Sequence, residues 1–186
     1  GMGGLGLLFA KQILTSTRDS SIILTGRSEL SNDKQSTLNE LNEPQNRVSY
    51  HAIDITDLDA VGTLVDTIKS EHGKLDGIIH SAGVIADNFI IRKTKEEFRA
   101  VLSPKVTGTY NLDLATKEMA LEFFVLFSSA SGAMGNMGQA DYATANGFMD
   151  QFALYRNKLT LSGLRRGHCV AINWPLWKDG GMGVDA

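Results

Sequence analysis

Gly1-Met2-Gly3-Gly4-Leu5-Gly6 opens the chain and runs straight into Leu5–Ser16, whose apolar residues (Leu8, Ile13, Leu14) fall at helical spacing. Glycines at a helix entrance let the backbone come close to a ligand, and the first amide groups of the helix point toward it. That combination suits a pyrophosphate. A loop of this kind normally follows a strand, and none precedes Gly1. The start is therefore expected to be a cut through a larger polypeptide.

Outward from the loop, the chain alternates. Ser21–Gly26 is a short β-rich run, Ser31–Leu41 a polar exposed helix, and Val48–Ile53 a second strand. Leu58–His72 is an amphipathic helix with Val61, Leu64, Val65 and Ile68 on one face, followed by a buried strand over Leu75–His80. Thr94–Met119 is a long, mostly helical stretch. Phe123–Ser128 is nearly all apolar, as a strand buried on both faces should be. A helix from about Gly138 to Leu161 and a strand over His168–Asn173 complete five alternations. The expected fold is α/β: a Rossmann-type, doubly wound parallel sheet with helices on both faces. Ser28–Asn46 is the expected surface excursion.

Composition fits one domain. The chain has 186 residues, of which 42% are hydrophobic and 21% charged, with a formal net charge of −3, so it has neither the makeup of a disordered segment nor a pull toward nucleic acid. No apolar stretch approaches the ~18–20 residues that span a bilayer. The one cysteine, Cys169, cannot form an internal disulfide, and a cytoplasmic location is expected. No metal site is expected.

The strand ends carry a second layer of signal. Leu24-Thr25-Gly26-Arg27-Ser28 puts a guanidinium and a hydroxyl where such a sheet holds the adenosine ribose. An acidic residue there would repel a 2′-phosphate, whereas the planar fork of Arg27 pairs with one, which favours NADPH over NADH. Asp54-Ile55 is placed to touch the adenine. His80-Ser81-Ala82-Gly83 has the small residues that let a backbone lie against the adenosine ribose. Ser128, Ser129 and Ser131 then follow a strand directly, and Tyr142 and Asn146 lie one helical turn apart. A strand-end serine and a helix tyrosine suit carbonyl reduction, in which the developing alkoxide needs hydrogen bonds and a proton. Tyrosine can be the acid only if its pKa falls from ~10, and a nearby ammonium does that by stabilising phenolate.

The run Phe127–Asp150 (FSSASGAMGNMGQADYATANGFMD) resembles the active-site segment of polyketide synthase ketoreductase domains, which belong to the short-chain dehydrogenase/reductase superfamily. Ordinary members place lysine four residues after the tyrosine. This chain has Asn146 there and Lys105 upstream, in Pro104-Lys105-Val106-Thr107-Gly108, the exchange found in polyketide and animal-type fatty acid synthases. The resemblance implies that Tyr142 donates the proton, Ser129 holds the carbonyl, Lys105 tunes Tyr142 and contacts the nicotinamide ribose, and Asn146 completes the relay. Gly1, Met2, Gly3, Gly4, Leu5 and Gly6 would serve the pyrophosphate, with Arg27, Ser28, Asp54, Ile55, Ser81, Ala82 and Gly83 around the adenosine. Pro175 and Leu176, in a segment running on to Met182, would face the carboxamide; Trp174 and Trp177 read equally as core anchors. Two positions carry stereochemical type. Ile85-Ala86-Asp87 keeps only the last residue of the Leu-Asp-Asp motif of B-type enzymes, which give D-hydroxyl products, and Met134 stands where A-type enzymes have tryptophan.

The implied reaction is NADPH-dependent reduction of a 3-oxoacyl thioester, presented on phosphopantetheine by an acyl carrier protein of the same synthase. A fatty acid synthase or free-standing reductase, and a non-catalytic reductase-like domain, are the alternatives. Residues 1–186 would form one NADP-binding domain incomplete at both ends, with the first strand, the lid and the last strand outside. Without that first strand two central sheet edges lie unpaired, so this piece is expected neither to fold nor to bind NADPH in isolation. Arg27→Ala is expected to raise the KM for NADPH by more than it changes use of NADH. Steady-state kinetics with both cofactors check this, and equal effects would remove the cofactor argument.

Overall fold

The computed structural model describes residues 1–42 and 47–176, and they form two compact units. One holds residues 1–54 together with Leu176, and the other holds Ile55–Pro175. Trp177, Lys178, Asp179, Gly180, Gly181 and Met182, the expected approach to a lid, lie outside the described residues.

In the first unit, α1 (Gly4–Ser16) leads to β1 (Ile22–Gly26), α2 (Asn32–Asn42) and β2 (Val48–Ala52). The two strands pair in parallel from Ile22 opposite Val48 to Gly26 opposite Ala52. Met2, Ala10, Leu24, Leu38 and Val48 form the buried core, with Leu7, Leu14 and Ile22 packed against it. Because α1 ends without a basic residue in its last turn, its open carbonyls need outside donors. Arg47 supplies them: its guanidinium donates to the carbonyls of Leu14, Thr17, Arg18 and Ser20 at 2.9–3.3 Å.

The second unit runs α3 (Leu58–His72), β3 (Gly77–His80), a 3₁₀ turn over Ile90–Arg92, α4 (Lys95–Ala115), β4 (Phe123–Ser129), α5 (Ala130–Met134), α6 (Ala140–Leu161) and β5 (His168–Trp174). The Asp57 carboxylate starts α3 by accepting from the amides of Asp59 and Ala60, and Gly73 ends it at φ 73°. Thr94 and Glu97 form a reciprocal capping box at the start of α4. β4 lies between β3 and β5 in a parallel sheet, with Phe123 opposite both Gly77 and His168. Phe124, Leu126, Met149, Phe152 and Cys169 make its core. Phe124, Leu126, Phe127 and Ser128 are all buried, as a central strand covered on both faces requires.

The elements match the sequence reading closely. The long helix stops at Ala115, where the Thr116 hydroxyl bonds back to the Leu112 carbonyl. The two short turns at Ile90–Arg92 and Ala130–Met134 were not expected, since neither is long enough to show a period. Strand order is β1-β2 in one sheet and β3-β4-β5 in the other. Among the described residues β1 and β3 therefore each have a strand partner on one side only. No described helix is long and apolar enough to cross a membrane.

Candidate active site

The glycine loop in the first unit is shaped by close contacts. Gly3 is the N-cap of α1 and brings no capping side chain, so the first-turn amides are left to an outside acceptor. A Cβ on Gly6 would lie 2.3 Å from the Gly1 carbonyl oxygen, and one on Gly1 would lie 2.8 Å from that of Thr25. The loop thus folds back on its own helix and against β1 in a way larger residues would block. This is a cradle suited to a pyrophosphate, and the fit favours a dinucleotide. Gly4 and Leu5 are half-buried in the first turn, while the Met2 side chain belongs to the core and leaves only its backbone for a ligand.

Arg27 and Ser28 follow β1 and are exposed, as is Asp54 after β2. Tyr50 holds this turn in place: its hydroxyl donates to the Ser28 carbonyl at 2.6 Å and lies 2.6 Å from where a Gly26 Cβ would be. Sequence reasoning missed Tyr50, because a tyrosine in a strand reads as packing.

The second unit holds the other expected residues. Ser81, Ala82 and Gly83 leave β3 half-buried. Ile55 is buried over Gly108 of α4, and its carbonyl accepts from the Asn111 amide at 3.0 Å. Ser129, Lys105, Tyr142 and Asn146 come together. β4 ends at Ser129, α4 supplies Lys105, and one turn of α6 supplies Tyr142 and Asn146. Lys105 is 2% exposed. Its Nζ donates to the Phe127 carbonyl at 2.7 Å, contacts the Met149 sulfur at 3.7 Å, and lies 5.7 Å from the centre of the Tyr142 ring. Asn146 is fully buried; its amide donates to the Tyr142 carbonyl at 2.7 Å, and its own carbonyl accepts from the Ser128 hydroxyl at 3.1 Å. The Asn146 Oδ1 atom is buried with no hydrogen-bond partner. Gly132 lets α5 approach this turn, since a Cβ there would stand 2.9 Å from that of Asn146.

The electrostatics are set by burial. Burial pushes Lys105 down to about 8, with the Asp150 carboxylate pulling the other way. His80, at the end of β3, is pushed to about 3 by burial and by Lys105, so it is neutral and its Nε2 donates to the Pro104 carbonyl at 3.0 Å. Tyr142 is raised above the ordinary phenol value, first by burial; hydrogen bonds from Ser129 and Asn146 lower it, and the Asp87 charge raises it. The expectation that Lys105 lowers the Tyr142 pKa is not met in this structure. The ammonium is engaged with the Phe127 carbonyl, and desolvation of the phenolate dominates. Burial and the Asp87 charge thus hold the phenol above its ordinary value, with the Ser129 and Asn146 hydrogen bonds pulling the other way.

Asp87 is exposed but anchored, its Oδ2 accepting from Gln139 Nε2 at 2.8 Å. Gln139 Oε1 accepts in turn from the hydroxyl of Ser131 and the amide of Asn136, both at 3.0 Å. Met134 is 81% exposed at the end of α5. Phe127 and Trp174 meet edge to face at 5.4 Å; beyond them Pro175 is exposed and Leu176 is 70% exposed. Gln139 was not anticipated, since a polar residue beside a motif looks like ordinary surface. Among the described residues no cluster suits a metal ion.

The KR domain family model matches residues 1–179, across both units. The chain is 50% identical to "Polyketide synthase PksN" of Bacillus subtilis (strain 168) over 98% of its own length and 3% of that protein's. It is also 50% identical to "Polyketide synthase PksL" of the same organism, over 100% of its length and 4% of the other's. The crystal structure of a ketoreductase domain from the bacillaene assembly line superposes with a TM-score of 0.96 at 52% identity, covering 100% of this chain and 44% of that one. The chain thus spans a few hundredths of the length of these synthases.

Burial brings Lys105 down to about 8, so loss of its proton is expected near that pH. The kcat/KM of any turnover that needs the Lys105 ammonium is therefore expected to hold up to about pH 8 and fall beyond it. A profile that stays flat to the ordinary lysine value of about 10.4 would contradict this.

Proposed function

The chain belongs to the KR domain family of polyketide synthases, oxidoreductases of the short-chain dehydrogenase/reductase type that use a nicotinamide cofactor, and from that premise we propose that it reduces the 3-oxo group of an acyl thioester to a 3-hydroxyl, with NADPH as reductant, during polyketide synthesis. The acyl group rides on the phosphopantetheine arm of an acyl carrier protein, one of the other domains of the same synthase. The observation that carries this reading is the gathering of Lys105, Ser129, Tyr142 and Asn146 around one buried phenol.

When bound, the nicotinamide supplies the hydride. The glycine loop, Gly1 to Gly6, offers backbone to the pyrophosphate, and Arg27 and Ser28 take the 2′-phosphate that separates NADPH from NADH. Asp54 and Ile55 serve the adenine, Ser81, Ala82 and Gly83 the adenosine ribose, and Pro175 and Leu176 the carboxamide. Lys105 and Tyr142 serve the nicotinamide ribose.

At the reacting carbonyl, Ser129 donates a hydrogen bond to the oxygen and stabilises the alkoxide that develops there. Tyr142 passes its phenolic proton to that oxygen. The phenolate left behind is buried, and the nearby Lys105 ammonium offsets its charge while Asn146 helps return a proton. Asp87 kept and tryptophan absent at Met134 favour the B-type, D-hydroxyl product.

Tyr142→Phe keeps the ring and removes the proton. In the intact synthase it is expected to lower NADPH-dependent reduction of a 3-oxoacyl thioester by about 10²-fold or more, the range of a lost general acid. Reduction at the wild-type rate would overturn the mechanism.

A further inference from the structure

One buried ion pair is not used by the reaction just described. Lys93 Nζ lies 2.6 Å from Asp141 Oδ2, with the two side chains 2% and 0% exposed. The same ammonium donates to the carbonyl of Ala86, and Asp141 Oδ1 accepts from the backbone amide of Tyr142 at 2.8 Å. One cation and one anion thus tie three segments: the loop after β3, the foot of α4 just before the Thr94 cap, and the first turn of α6. The residues held are the immediate neighbours of two others: Ala86 precedes Asp87, and Asp141 precedes Tyr142.

Burying a charge pair gives little net stability, and apolar side chains of similar volume commonly do as well. What apolar side chains cannot do is bond a carbonyl on one segment and an amide on another. The pair is reinforced alongside, where the Asn88 amide donates to the Gly138 carbonyl at 2.9 Å and Gln139 grips Asp87 at 2.8 Å. The Asp87 charge is among the causes that raise the Tyr142 phenol, so the placement of its loop bears on that group.

We propose that the Lys93–Asp141 pair is a positioning device that fixes the Asp87 loop relative to Tyr142 and thereby fixes which face of the ketone is reduced. This rests on the reductase reading above. Lys93 and Asp141 touch neither substrate nor cofactor in it; they act through Asp87 and Tyr142. With the pair intact, the loop is held to the start of α6 and the substrate meets one arrangement of carboxylate and phenol. Without it, the loop gains freedom and both faces of the ketone can be presented.

The test uses the intact synthase with NADPH and a 3-oxoacyl thioester, reading the ratio of the two 3-hydroxy epimers by chiral chromatography together with kcat and KM. The Lys93→Met, Asp141→Asn double variant removes both charges. It keeps an acceptor for the Tyr142 amide and drops the bridge to Ala86. Asp141→Asn alone is the second variant, and hydrogen exchange of β4 reports whether each is folded. The expected result is a folded β4, a kcat lower by about 10- to 10²-fold, and a minor epimer raised by about tenfold, as for a reacting group displaced by a fraction of an ångström. A folded variant that keeps the wild-type epimer ratio overturns the proposal. Loss of β4 protection in both variants also overturns it, since the pair would then be needed for folding rather than placement. Failure of the wild-type protein to reduce the substrate at all would strike the reductase reading instead.

Discussion

The second unit is organised around a lysine ammonium held almost entirely out of water. Lys105 can be buried only if its charge has a fixed partner, and the Phe127 carbonyl at 2.7 Å is that partner. This bond joins α4 to β4 just before Ser129. Neighbouring residues serve the same end. Pro104 has no amide to donate within the helix, and its carbonyl takes a bond from His80. Gly108 is bare because Ile55 lies against it; a Cβ there would stand 2.6 Å from the Ile55 side chain. The same burial that lowers Lys105 raises Tyr142, so it disfavours the charged form of both groups.

Buried ion pairs fasten this unit, whereas in the first the polar ties are the Arg47 cap, the Tyr50 hydroxyl on the Ser28 carbonyl and the Asn42 amide on the Val48 backbone. On the side away from Tyr142, Arg156 is 1% exposed and donates to Asp113 at 2.9 Å, to the Gly167 carbonyl at 2.9 Å and to that of Arg166 at 2.8 Å. Its guanidinium also lies 4.8 Å from the Phe124 ring, and Arg165 shares the Asp113 carboxylate at 3.0 Å. α4, α6 and the approach to β5 are thereby locked at one end by Asp113 and Arg156. At the other end Lys105, Asn146 and the Lys93–Asp141 pair fix them. Such networks cost desolvation and give directionality in return, which suits two helices that bring Lys105, Tyr142 and Asn146 to the end of β4.

The alternation of strands and helices was readable because each long element repeats its period several times. Leu58–His72 and Phe123–Ser128 left little room for another reading. Lys105, Ser129, Tyr142 and Asn146 were readable through the family order of their motifs. Other features were hidden for physical reasons. Lys93 and Asp141 are 48 residues apart, and nothing in their local sequence says that both will be dry. Tyr50 above Gly26 is a contact between strands, set by register. The direction of the Tyr142 shift depends on a balance between burial and neighbouring charge that spacing cannot give.

Central to the proposed mechanism is a hydride directed to a ketone carbon. The most direct measurement supplies the synthase with NADPH deuterated at the transferable position of C4 and a 3-oxoacyl thioester, then reads the product by mass spectrometry and NMR. One deuterium at C3 of the hydroxyacyl product, lost when Lys105 is replaced by Met, is the predicted result. A product without deuterium at C3, or incorporation unchanged in Lys105→Met, would contradict the proposed mechanism.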